Sequence, residues 1–272
     1  MKKIIILVLA ISMLLVGCSS GSDTNGKNDD GSTVVRVGLT GTDSKVWNHV
    51  KAEAAKEGIE IELVFFDSYP LPNAALDAGE IDMNAFQHHI YLNKEVEQFG
   101  YDLSVIGETV LAPLGIYSKQ LESLDELEDG SKIVIPDDVT NGGRALLLLQ
   151  ENGLITVDPS AGDIPSLKDV EENPRNFEII ELAAANVPAS LEEVPVAVIN
   201  SGVARDAGFI PSQDALVLEE GKEGENLYVN IIVVRTEDKD NEVYNRIVEI
   251  YQTDETKAVI EEDSKGSSIP VW

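Results

Sequence analysis

The chain is expected to fold as an α/β protein with two modest domains, for three reasons. Residues 34–39 alternate as a strand, Val46, Trp47, Val50 and Ala54 recur at helical spacing, and residues 59–66 alternate again; strand, helix and strand in that order imply a right-handed crossover and a parallel pair. Residues 194–199 are apolar throughout, as a strand buried on both faces of a helix-covered sheet should be. A length of 272 residues is enough for two separate cores.

Taken in order, Thr40-Gly-Thr-Asp-Ser is a turn with Asp43 or Ser44 as helix cap, and Gly58 ends the first helix. His49 lies off the apolar stripe and is expected at the surface. The stretch from Pro70 to Tyr91 reads as a short helix with Pro72 in its first turn, a left-handed stop at Gly79, and a short strand over residues 81–85 carrying the polar Asp82 and Asn84. Phe86, Gln87 and His88 then sit at a carboxyl strand end, where open α/β sheets bind ligands. A helix over 89–99 stops at Gly100, and residues 103–109 form another strand.

Residues 111–117 look like a crossing into the second domain. Ser123-Leu-Asp-Glu126 matches a capping box, as does Ser190-Leu-Glu-Glu193. After a strand at 132–136, the Gly-rich residues 137–144 lead into a helix over 145–150 that ends at Asn152-Gly153. Such a turn exposes backbone N–H groups at the positive end of the helix dipole. Arg144 there is unfavourable for the dipole, and either a bound anion or one of the many nearby acids would relieve the conflict. Further expectations are a helix over 166–172, a strand over 177–182, Asn200 at the end of the 194–199 strand, a strand over 211–220, a clear strand over 228–235, and closing helices over 241–252 and 256–262.

The 20 basic and 49 acidic residues give a formal charge of −29, which excludes a nucleic-acid partner, since phosphates require Lys and Arg. The single cysteine, Cys18, excludes an intrachain disulfide. Met1-Lys-Lys, an apolar run over 4–16 and Leu15-Val-Gly-Cys18 have the layout of a secretory signal, with a run too short for a comfortable membrane span. The last four residues resemble the bacterial lipobox, which implies cleavage after residue 17 and lipid on Cys18. Residues 19–33 contain no apolar side chain and read as a flexible tether.

Tyr69-Pro-Leu-Pro-Asn73, the run Gly79-Glu-Ile-Asp-Met-Asn-Ala-Phe-Gln-His88, Ser123-Leu-Asp-Glu-Leu, the run Thr140-Asn-Gly-Gly-Arg-Ala-Leu-Leu-Leu-Leu-Gln150, Ala197-Val-Ile-Asn200 and Tyr228-Val-Asn230 together resemble the methionine-binding lipoproteins of the NlpA family, the solute-binding components of methionine ABC importers. The resemblance runs from the signal peptide to the C-terminus. It implies a two-lobed periplasmic-binding-protein-like (type II) α/β fold with a two-strand hinge. Residues 1–17 would be signal peptide, 18–33 lipidated cysteine and tether, 34–115 with 229–272 lobe 1, and 116–228 lobe 2. It also implies that Tyr69, Phe86 and His88 line a side-chain pocket, that Arg144 holds a ligand carboxylate, and that Asn200 and Asn230 bond the ligand's backbone groups. The partners implied are methionine or a close analogue, an ABC permease, and the membrane through the lipid on Cys18, on the extracytoplasmic face. The family often carries Lys-Pro where this chain has His89-Ile90, and a bulkier residue where Gly142 stands. The chemistry agrees: a planar guanidinium suits a carboxylate, and aromatic edges suit a thioether.

An enzyme is the first rival, but the chain has no nucleophile elbow, phosphate-binding loop or dinucleotide fingerprint. Neither a catalytic residue nor a cofactor is expected. A metal-binding lipoprotein is the second; adjacent His88 and His89 point to opposite faces on an extended backbone, leaving only His49 to complete a histidine set. The ligand alternatives within the binder class are a methionine derivative or a short methionine peptide. Cys18→Ala should release or misprocess the protein, and unchanged membrane fractionation of that variant would count against the lipobox reading.

Overall fold

The computed structural model describes residues 33–220 and 226–272. The expected leader, Cys18 and the expected tether up to residue 32 lie outside the described residues, while Thr33, expected to end the tether, belongs to the first strand.

The first half begins with β1 (Thr33–Thr40), α1 (Lys45–Ala55), β2 (Ile59–Phe66), α2 (Pro70–Asp77), β3 (Met83–Asn84), α3 (His89–Phe99) and β4 (Leu103–Leu111). Ser44, not Asp43, caps α1, its hydroxyl accepting from Trp47 N; Asp43 accepts from the Asn48 amide instead. The predicted stripe Val46, Trp47, Val50 and Ala54 is buried. His49 is half-buried rather than surface-solvated, and its Nε2 has no hydrogen-bond partner among the described residues. β3 is shorter than the expected strand over 81–85. The polar residues flanking and within it are structural: Asp82 accepts from Arg36 N at 2.7 Å and pairs with its guanidinium at 3.0 Å, while Asn84 joins Asn73 and Gln87 in a buried amide triangle with bonds of 2.7–3.0 Å. The Gln87 amide is therefore committed to fixing the β3–α3 connection.

The chain then passes through β5 (Leu114–Tyr117), β6 (Lys132–Pro136), α4 (Val139–Glu151), β7 (Thr156–Val157), β8 (Val170–Glu172), β9 (Glu178–Leu182), α5 (Val187–Ser190), β10 (Val196–Asn200), α6 (Ser201–Asp206), α7 (Pro211–Asp214) and β11 (Ala215–Leu218). It closes with β12 (Val229–Arg235), α8 (Glu242–Tyr251), α9 (Asp254–Ser264) and β13 (Ile269–Pro270). The expected boundary after residue 115 falls inside β5.

Several local expectations are corrected. Ser123 caps only a 3-10 turn, accepting from Asp125 N. The reciprocal capping box forms instead at Ser166 and Asp169, on a 3-10 turn that gives way to β8, so 166–172 is not one helix. Ser190 ends α5, its hydroxyl donating back to Val187 O, so the second predicted box does not start a helix. Pro211 opens a helical turn, which confines the expected 211–220 strand to β11; proline suits that first turn because its missing N–H has no partner there.

The largest correction concerns the Gly-rich stretch. α4 starts at Val139, capped by Asp138, so Asn141, Gly142, Gly143 and Arg144 are helical and not a loop ahead of a helix. The glycines serve close approach. A Cβ on Gly142 would lie 2.8 Å from Pro136 O, and one on Gly143 would lie 2.8 Å from Ile164 Cα and 2.9 Å from Pro165 O.

Two sheets form the two lobes. The first has the order β13-β4-β12-β3-β1-β2, with β1 parallel to β2 and β3, and β12 antiparallel to β3 and β4. The second has the order β11-β5-β10-β6-β9, with β10, β6 and β9 parallel and β5 antiparallel to β10 and β11. Both are covered on both faces. In β12, Ile232 and Val234 pack with Trp47 and Ile247, while Ile231 and Val233 pack with Leu76 and Leu92. In β10, Val196 and Val198 join Leu146 and Leu149, while Ala197 and Ile199 join Val187 and Leu191. That double coverage is why these strands are apolar runs without alternation. The chain crosses between lobes at Ala112-Pro113 and returns between β11 and β12.

A Cβ at Gly143 would meet main chain, which no rotamer change relieves. Overpacking costs about 1–3 kcal/mol, against a gain of about 0.8–1 kcal/mol for alanine over glycine in a helix. Gly143→Ala should therefore be destabilising by about 1 kcal/mol, lowering Tm by about 2–4 °C in a circular-dichroism melt. An unchanged or raised Tm would show that the α4 contact with Ile164 and Pro165 yields easily.

Candidate functional site

The carboxyl ends of β1, β3, β6 and β10 converge on one cleft of about 1170 Å³ between the lobes, the position that parallel sheets reserve for ligands. Tyr69, Phe86, His88, Arg144, Asn200 and Asn230 all line it.

Lobe 1 supplies an aromatic shelf. Tyr69, at the start of α2, lies 6.1 Å from the Phe86 ring and 6.0 Å, edge-on, from Tyr91. Phe86 and Tyr91 meet edge-on at 5.8 Å. Burial holds the Tyr69 and Tyr91 phenols well above their ordinary range, with nearby carboxylates adding to it, so both hydroxyls are neutral hydrogen-bonding groups. Tyr91 escaped the sequence reading; its only signal is its position three residues after His88 on α3.

His88 caps α3. Its Nδ1 accepts from Tyr91 N at 3.1 Å, so the ring proton sits on Nε2, which faces Asn141 Oδ1 at 3.4 Å across the cleft. Burial, and then the positive charge of Arg144, push its pKa down to about 3 despite the opposing Asn141 bond. The imidazole is thus a neutral donor.

Lobe 2 answers with amides. Asn141 donates Nδ2 to both Asp138 carboxylate oxygens at 3.0 Å, leaving its Oδ1 to accept from Asn200 Nδ2 at 2.8 Å as well as from His88. Asn200, at the carboxyl end of β10, then keeps Oδ1 as a buried acceptor with no partner among the described residues. Asn141 lies inside the Thr140–Arg144 run that the sequence singled out, but only the helical backbone reveals that it faces His88. Asn230 sits on β12, its backbone paired with His88 and its carbonyl accepting from Thr109 Oγ1 at 2.9 Å.

Arg144 is buried at 3% exposure in the second turn of α4, so the dipole conflict expected for a first-turn cation is largely absent. Of the two reliefs the sequence left open, an acid is the one in place. Glu219, just after β11, accepts from Nε at 2.9 and 3.0 Å and from Nη2. Nη2 also donates to Ala112 O at 3.0 Å, and the guanidinium lies 4.3 Å over the Tyr228 ring. Glu219 carried no local signal, and Tyr228, though inside the Tyr228-Val-Asn230 motif, was not expected against Arg144; the fold brings Glu219 to Arg144 from 75 residues away.

Unfolded, His88 titrates near 6.5, and folded near 3. Between those values the unfolded state binds more protons, so stability rises with pH there, and the loss on acidification grows by about 1.4 kcal/mol per unit below the upper value. His88→Asn keeps a capping oxygen for Tyr91 N and removes the titration. Compared with wild type, it should lose about 2–3 kcal/mol less stability between pH 6.5 and 4.5 in urea unfolding. Equal losses would refute a buried neutral imidazole.

A family model described as NlpA lipoprotein matches residues 35–272. The D-methionine-binding lipoprotein MetQ of Escherichia coli (strain K12) is 41% identical over 266 residues, spanning 96% of this chain and 94% of its own length. Among solved structures, the methionine-binding protein MetQ matches with a TM-score of 0.84 at 41% identity, over 88% of this chain and 98% of its own. A nutrient-binding protein from Burkholderia cenocepacia bound to methionine matches with a TM-score of 0.83 at 40% identity, over 88% and 100%. The chain belongs to the NlpA lipoprotein family.

Proposed function

We propose that this chain is the extracytoplasmic solute-binding lipoprotein of an ABC importer, capturing methionine between its lobes and delivering it to the permease. One observation carries the reading: a buried arginine, an amide oxygen buried without a partner among the described residues, and an aromatic shelf face one cleft. In this reading Arg144 holds the carboxylate, Asn200 Oδ1 accepts from the ammonium with Asn230 beside it, and Tyr69, Phe86 and the neutral His88 enclose the thioether. A buried charge requires a partner, so the apolar shelf disfavours acidic and basic side chains. Each buried CH₂ contributes about 0.8 kcal/mol, which favours methionine over alanine.

With β5 in the second sheet, residues 34–113 and 229–272 would form lobe 1 and residues 114–228 lobe 2. Residues 1–17 would be a cleaved leader, with the body tethered by residues 18–33 to a lipid on Cys18 at the outer face of the cell membrane. The chain binds and releases without catalysis, in keeping with the names of its relatives. A methionine derivative or short methionine peptide is the second reading, favoured by a cleft larger than one amino acid. The metal alternative gains no support: His88 Nδ1 is taken by Tyr91 N, and His89 Nε2 pairs with Glu108 at 3.0 Å.

Calorimetry on tag-free, ligand-stripped protein should show binding of methionine in preference to alanine, glutamate and lysine. A charged hydrogen bond contributes about 1.5–3 kcal/mol, so Arg144→Ala should weaken methionine binding about 10- to 150-fold. Near-normal affinity in that variant would remove Arg144 as the carboxylate anchor, and tighter binding of glycyl-methionine would move the ligand to peptides.

A further inference from the structure

Arg144 carries five N–H donors, and the protein itself uses three. Nε bonds Glu219, and Nη2 is divided between Glu219 and Ala112 O. The Tyr228 ring covers one face of the guanidinium. Both hydrogens on Nη1 stay without a bond among the described residues, and Nη1 is the corner left for an incoming carboxylate.

Glu219 is not built as a swinging gate. Its backbone N–H donates to Leu114 O at 2.8 Å, and its Oε2 accepts from Leu114 N at 3.1 Å. Main chain and side chain alike are pinned to the first residue of β5, directly after the first crossing between lobes. The Glu219 side chain is 16% exposed and the Arg144 side chain 4%, so water screens the pair weakly. The anchor is therefore already neutralised before any ligand arrives. A ligand bringing one carboxylate and nothing else would add an uncompensated negative charge beside Glu219. An amino acid brings its own ammonium.

We infer that Glu219 is a specificity-determining residue: a fixed internal counter-charge on Arg144 that makes the cleft accept net-neutral zwitterions and reject ligands that are net anions. This rests on the reading of Arg144 as the carboxylate anchor. Glu219→Gln removes the charge while keeping the side chain's size and one acceptor. Glu219→Asp keeps the charge and shortens the reach.

The test compares methionine with N-acetylmethionine, which keeps the carboxylate and thioether but carries no ammonium, by calorimetry on ligand-stripped protein. Wild type should prefer methionine strongly. In Glu219→Gln the gap should narrow about tenfold or more, the scale of one unit charge acting within about 6 Å in a partly buried site. Glu219→Asp should retain the wild-type gap even with both affinities lowered. An equal loss for both ligands in Glu219→Gln, leaving the gap unchanged, would overturn the inference and leave Glu219 a structural residue. Should that variant not fold in a thermal melt, Glu219→Met, uncharged and similar in volume, gives the same comparison. Wild-type binding that is indifferent to Arg144→Ala would instead defeat the anchor reading itself. Arg144-dependent binding with an unchanged gap defeats the counter-charge alone.

Discussion

The buried charge of Arg144 is the constraint around which the second lobe and both crossings are arranged. A buried arginine, its residue 3% exposed, is tolerable only where its donors and its charge are met. The partners come from three places. Ala112 O belongs to the first crossing, while Glu219 and Tyr228 stand at the two ends of the return. A planar, forked cation can satisfy all three at once; a lysine ammonium could not present an edge and a face together. Helix α4 is thereby tied to the hinge as well as to its own sheet.

The remaining contacts across the cleft are of a different kind. His88 meets Asn141, and Asn141 meets Asn200, so one amide oxygen links an element of lobe 1 to two of lobe 2. At the rim, Arg205 of α6 reaches across to Asp263 of α9 at 3.1 Å, a carboxylate that Lys45 holds from within lobe 1 at 3.5 Å, and Ser212 Oγ donates to Lys265 O at 3.0 Å. These rim contacts are partly or fully exposed, and such pairs contribute about 0–1 kcal/mol each. They align the lobes without committing them to closure. A ligand that binds only the closed arrangement then decides the balance by mass action.

Polar residues within apolar elements marked the site in the sequence, but their roles divide in the fold. Asp82, Asn84 and Gln87 look as eligible as His88 when read in line. The structure assigns the first to Arg36 and the other two to a closed amide triangle with Asn73. His88 differs because its second ring nitrogen points out of lobe 1 toward Asn141.

The sequence by itself determined the α/β class, most elements to within a few residues, and the motifs that place Tyr69, Phe86, His88, Arg144, Asn200 and Asn230 in one family pattern. These are properties of spacing and of turn chemistry, which act over a few residues: the left-handed glycines at 79 and 100, the stripe on α1, the doubly buried strand β10, and the clear strand β12. Where local signals competed, they misled. Serine-acid spacings at 123 and 190 suggested helix starts, and a glycine pair suggested a loop. Only the tertiary structure showed that positions 142 and 143 lie within a helix, and that they are glycine because main chain passes within about 3 Å of where a Cβ would be. Only it supplied Glu219 and Tyr228 to Arg144, because which of 49 acidic residues meets a given arginine is fixed by how β11 pairs with β5, and a long-range pairing leaves no trace in local spacing.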